Sequence, residues 1–162
     1  MLLFLQIVLY CVLFLVIVKC AVRNSGLNCL YFYPEEYIED AEKRGIADKE
    51  ATMKKGKKFM VPFCIFIFGI LIPVIAFWNH VTDFKTAYIQ AFLFLFVMNW
   101  FDGIVLDRIW VAHSKVWCIE GMEGVTYIKP WKYVLTRRSA GTVLYLVMAL
   151  IIAGIVVLIG KI

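Results

Sequence analysis

Charge is scarce in this chain: Asp, Glu, Lys and Arg together make up 18% of its 162 residues, against about a quarter in an ordinary soluble domain. Histidine is scarcer still, with only His80 and His113. The five cysteines, Cys11, Cys20, Cys29, Cys64 and Cys118, form no C-x-x-C and no paired spacing. Neither a disulfide scaffold nor a zinc site is indicated, and the thiols read as structural groups in a reducing compartment. The chain has no nucleophile elbow, no glycine-rich nucleotide loop and no heptad repeat. It also lacks the internal repeat that marks many secondary transporters. Nothing calls for a cofactor or a metal.

What fills the chain instead is apolar. Hydrophobic residues make up 63% and aromatics 16%. They gather into four runs: Leu2–Val18, Phe59–Trp78, Tyr88–Ala112 and Gly141–Gly160. A hydrocarbon core about 30 Å thick takes roughly 20 apolar residues at 1.5 Å rise each, so each run is long enough to cross. The expectation is an all-α polytopic membrane protein, one membrane domain over residues 1–162, with four transmembrane helices and short amphipathic cytoplasmic helices. The first run has no Lys or Arg before it and exceeds a signal-peptide core in length, which predicts an uncleaved helix. Lys19 stands where a lipoprotein signal ahead of Cys20 needs a small residue.

The net charge of +5 points to lipid rather than to nucleic acid, for which no fold-level motif is present. Residues 19–58 carry nine basic residues (Lys19, Arg23, Lys43, Arg44, Lys49, Lys54, Lys55, Lys57, Lys58) and residues 108–138 carry six (Arg108, Lys115, Lys129, Lys132, Arg137, Arg138). Only Lys85 and Lys161 remain on the other side. The positive-inside rule then predicts two cytoplasmic loops, about residues 19–58 and 113–139, with both termini outside. Anionic headgroups at the inner face are the expected lipid partners.

Within the first loop, Pro34 is placed to open a helix, with Glu35, Glu36, Glu39 and Asp40 at its positive end and Gly45 as its C-cap. Asp48 reads as the N-cap of a second short helix toward Lys58. Tyr33, Tyr37 and Ala41 form an apolar stripe suited to the membrane or to the second loop. Pro62 is expected in the first turn of its span, where its missing N–H costs little, and Pro73 in the interior, where it kinks the helix. Ala149, Ala153 and Gly154 offer a small-residue face for close packing within the chain or for self-association.

The end of the third run holds the groups that bear on function. At 3.6 residues per turn, Asn99, Asp102, Gly103, Leu106, Trp110 and His113 share one face, with Asp107 on its flank. Such a face points into a bundle. Three readings fit it. Asp102 and Asp107 accept salt bridges from basic residues such as Arg108 or Arg137; or Asp102, with Asn99, binds a proton or cation in a small transporter; or Asp102, Asp107 and His113 form an interfacial active site on lipid. The corresponding functions are a non-enzymatic interaction or accessory component, working as a homo-oligomer or with a membrane protein partner, then a coupled transporter, then a lipid-modifying enzyme.

Two stretches also carry a resemblance. Tyr33-Pro34 followed by Glu39-Asp40-Ala41-Glu42-Lys43-Arg44-Gly45-Ile46, and Trp100-Phe101-Asp102-Gly103-Ile104-Val105-Leu106-Asp107-Arg108-Ile109-Trp110 ending in His113-Ser114-Lys115, resemble a group of small four-helix bacterial integral membrane proteins. The resemblance covers about residues 31–124. Where that group reads Pro-Gly-Thr-Glu, this chain reads Glu120-Gly121-Met122-Glu123. The resemblance implies a bacterial plasma membrane location and draws attention to Asp102, Asp107 and His113, but it brings no activity with it.

Overall fold

A computed structural model describes residues 1–125 and 127–160. It is 81% helical, with no strand among the described residues. Helix α1 spans Leu2–Val22 and α2 spans Glu35–Lys43. Helix α3 runs Lys49–Trp78, α4 runs Phe84–His113 and α5 runs Trp131–Ile159. All but α2 are long and apolar enough to cross a bilayer, and on that basis the chain is a multi-pass membrane protein.

Every long helix overruns its apolar run. Hydropathy marks the part that prefers lipid, whereas backbone hydrogen bonding carries a helix on through any residues that tolerate it. The consequences differ from helix to helix. Asp48 caps α3 as expected, its Oδ1 accepting from the Ala51 N–H at 2.5 Å. No break follows, however, so the short helix expected before Lys58 and the span after it are one. Pro62 therefore lies in the helix interior and not in a first turn. It donates nothing to the carbonyl of Lys58, four residues earlier. Pro62→Ala is expected to stabilise the protein by on the order of 1–3 kcal/mol, read as a higher midpoint of thermal unfolding in detergent micelles.

Pro73 is followed by a π-helical turn, Val74–Trp78, in which the Asn79 N–H reaches the Val74 carbonyl at 3.0 Å. A five-residue connection, 79–83, then joins α3 to α4. Asn79 fixes this end of the bundle, accepting from Gln6 Nε2 at 2.6 Å and donating to Gln90 Oε1 at 2.7 Å. Gly160 packs beside Thr82 at the same end. Both ends of the described chain thus lie together with the short connection, and both long loops lie at the opposite pole. Lys161 lies outside the described residues.

Helix α4 is the most enclosed of the long helices, with 39% of its apolar window buried against 17% for α3. It packs chiefly against α5, where Ala149 and Ala153 are fully buried and let the two backbones approach. Ala149 and Ala153 therefore serve packing within the chain, while Gly154 faces open space. Tyr10 closes the α1 side, its hydroxyl donating to the Ile67 carbonyl at 3.1 Å and its ring edge-on to Phe94.

Helix α2 ends as the sequence predicts. Gly45 adopts φ 71°, and the N–H groups of Gly45 and Ile46 close back on Glu42 and Ala41, both at 2.9 Å. The Tyr33 and Tyr37 rings stack at 4.9 Å and both meet Tyr127, so the apolar stripe lies on the second loop. Burial raises the Tyr37 and Tyr127 hydroxyls to about 12, and they stay protonated. Lys49 clips α2 to α3 through Glu39 at 2.7 Å and Glu35 at 2.9 Å. That contact lowers the Glu39 pKa and raises that of Lys49. The clip is complete above the ordinary carboxylate pKa of 4.5 and lost as pH falls through the lowered value. Amide protection across Glu35–Lys43, taken relative to intrinsic exchange at the same pH, is expected to fall only once pH drops below the ordinary carboxylate value of 4.5.

Candidate functional site

The polar end of α4 is built on an unusual backbone. Phe84–Phe101 is ordinary α-helix, but Asp102–Trp110 is π-helical, and the Val111 N–H reaches the Leu106 carbonyl five residues back. In an α-helix, residues five apart are offset by about 140°. Under i→i+5 bonding the turn is wider, about 4.4 residues, and the offset falls to about 50°. Asp102 and Asp107 are five apart, and the π-helical stretch turns both toward α5.

There they meet Arg138. One guanidinium nitrogen lies 2.5 Å from Asp102 Oδ2 and the other 2.7 Å from Asp107 Oδ2. Lys129 Nζ takes the remaining oxygen of Asp107 at 2.8 Å. The group is largely shielded, with side-chain exposures of 13% for Arg138, 11% for Asp107 and 26% for Asp102. A planar fork suits this task, because two parallel N–H groups reach two carboxylates at once, which a lysine ammonium does not. Gly103 makes the approach possible: a Cβ there would stand 2.8 Å from Arg138 Cγ and Nε.

Asn99, 3% exposed, extends the cluster one turn toward the membrane interior. Its Nδ2 donates to the Arg138 carbonyl at 2.8 Å and to Thr142 Oγ1 at 3.2 Å. Arg108 points the other way, donating to the Lys129 carbonyl at 2.8 Å with its guanidinium 4.6 Å above the Trp131 ring. The structure therefore brings Asn99, Asp102 and Asp107 together. His113 stays apart: it is exposed, and its Nδ1 pairs with the Ile109 carbonyl of its own helix at 2.8 Å. Trp110 packs edge-on against Trp117 at 5.3 Å rather than joining the carboxylates. His80 is an exposed turn residue with φ 52°.

No family model, curated protein or solved structure matches this chain. The chemistry of the cluster has to be read from its own geometry.

Two carboxylates, Asp102 and Asp107, face two cations, Arg138 and Lys129. The bridging partners are Arg138 and Lys129, where the sequence suggested Arg108 or Arg137. Arg137 instead turns outward, donating to its neighbour Tyr133 Oη at 2.7 Å. A signal for Arg138 does exist in the sequence. Val134, Arg138, Thr142, Tyr145, Ala149, Ile152, Ala153 and Val156 recur at helical spacing, and five of them (Val134, Ala149, Ile152, Ala153 and Val156) are buried along α5. Reading α5 from Trp131 rather than from Gly141 places Arg138 on that inward face.

Proposed function

We propose that this is a non-enzymatic accessory component of a bacterial plasma membrane, a four-helix scaffold that presents two interlocked loops to the cytoplasm. The observation that carries this reading is that the carboxylates of α4 are already engaged. Both oxygens of Asp107 and one of Asp102 are held by Arg138 and Lys129 within 2.8 Å, and an ion-paired cluster of this kind joins α4, α5 and the second loop. The loops form a second built feature: Tyr33 Oη donates to the Trp117 carbonyl at 2.6 Å, and Arg44 Nη1 to that of Gly121 at 3.0 Å.

Charge orients the scaffold. Lys54, Lys55, Lys57 and Lys58 all lie exposed on α3 ahead of its apolar part, a ring suited to anionic headgroups on the cytoplasmic side. Glu36 and Glu42 are exposed on α2, and no described residue pairs with either side chain through a salt bridge. Glu42 Oε1 already accepts from the Lys49 N–H at 3.0 Å, which leaves Glu36 as the natural contact point for a membrane protein partner or a second copy.

Two measurements test the reading. A partner retained in mild detergent is expected to be released by Glu36→Lys, a substitution that leaves the ion cluster and the α2–α3 junction intact. Proteoliposomes loaded with a pH-sensitive dye are expected to show no flux beyond that of empty vesicles. Proton or cation flux in the wild type, abolished by Asp102→Asn, would overturn the accessory reading in favour of a small coupled transporter. Turnover of bilayer phospholipid that depends on Asp107 would replace it with a lipid-modifying enzyme; His113, pointing away from both carboxylates, argues against that chemistry.

A further inference from the structure

We propose that residues 102–110 are a two-state segment, π-helical while Arg138 bridges Asp102 and Asp107 and α-helical once the bridge is broken. The inference concerns the fold of α4 and does not depend on what the loops bind.

Three observations carry it. A π-helical stretch of nine residues, Asp102–Trp110, is long for a form that occurs mostly as single turns, so something outside the backbone must hold it. Among the described residues, the contact that favours it is the shared guanidinium. With α-helical bonding Asp107 turns away from Asp102 by about 140°, and a single Arg138 no longer reaches both. The surroundings are also shaped for the bridge and little else: Gly103 gives the guanidinium its space, and Asn99 Nδ2 pins the Arg138 carbonyl at 2.8 Å, which fixes the height of Arg138 on α5.

The alternative is close at hand. The backbone on either side, Phe84–Phe101 and Val111–His113, is already α-helical. Shifting the intervening N–H groups from the fifth to the fourth carbonyl needs no new partner. That shift turns everything beyond Asp102 about the helix axis. Ile109 and Trp110 swing with it, and Trp110 is packed on Trp117, whose carbonyl accepts the Tyr33 hydroxyl. The bridge thereby sets how the second loop is presented to the first. Packed segments of this sort switch between discrete arrangements rather than deforming gradually.

The test uses the full chain in lipid nanodiscs, with Cys20, Cys64 and Cys118, the cysteines that are not buried, replaced by serine. Spin labels at Ile65 and Ile109 report the segment, and labels at Ile65 and Ile89 report α4 ahead of it; all three sites are exposed. Arg138→Lys keeps the charge but not the fork, and Asp107→Asn keeps the shape but not the charge. Each is expected to move the Ile65–Ile109 distance by on the order of 5 Å, the reach of a side chain turned about a helix of that radius, and to leave Ile65–Ile89 in place. An unchanged Ile65–Ile109 distance in both variants overturns the proposal. Movement of both pairs overturns it as well, because the bridge then holds the bundle and not the segment.

Discussion

Arg138→Met is expected to cost about 3–5 kcal/mol of stability, the penalty for leaving a buried charge without its partner. It is the most damaging single change in the ion cluster, because Arg138 serves two acids and Lys129 reaches only Asp107. Unfolding in mixed micelles, followed by tryptophan fluorescence, measures the loss. The loss arises from the orphaned carboxylates and not from any large net gain in forming the bridge, and a second variant separates the two. Combining Arg138→Met with Asp102→Asn and Asp107→Asn removes both negative charges together with the guanidinium. That triple variant is expected to recover more than half of the loss, since replacing a whole buried ion group is often near neutral. A triple variant as unstable as Arg138→Met alone would show that the guanidinium packs through its stem against Gly103 more than it pairs.

The same cluster shows where sequence reading reaches and where it stops. The four spans are legible because about 20 apolar residues in a row have few other uses. The inward face of α4 is legible up to Asp102, since the 3.6-residue period holds to that point. Beyond it the period changes, and Asp107, placed on the flank, comes round to join Asp102. No local composition announces a π-helix, because it arises from the demand of a residue 31 positions later. Arg138 was hidden for a related reason: hydropathy dates the start of α5 to Gly141, ten residues after the helix begins at Trp131. The same bias at Phe59 puts Pro62 in a first turn, whereas the helix begins at Lys49. Local signals with their own hydrogen-bond partners nearby, the Asp48 cap and the Gly45 terminus, need no distant information and stand where the sequence puts them.

Gly26→Ala is expected to separate the two loops, at a cost of about 2–3 kcal/mol from overpacking and a lost buried hydrogen bond. Gly26 is buried beneath Tyr33, and a Cβ there would overlap the Tyr33 hydroxyl and stand 3.2 Å from the Trp117 Cα. The hydroxyl cannot retreat without abandoning the Trp117 carbonyl, its acceptor at 2.6 Å. The ring cannot tilt freely either, since it stacks on Tyr37 and meets Trp117 and Tyr127. Tyr33→Phe is the matched control: it removes the same hydrogen bond without adding bulk, and about 1–2 kcal/mol is expected. Limited proteolysis in detergent reads the difference, with Gly26→Ala opening cleavage at Lys43–Arg44 and near Lys115 while the four long helices stay protected. Equal protection in Gly26→Ala and wild type would mean that the loops hold together through Arg44 and Gly121, and that the aromatic cluster is packing rather than the clasp between them.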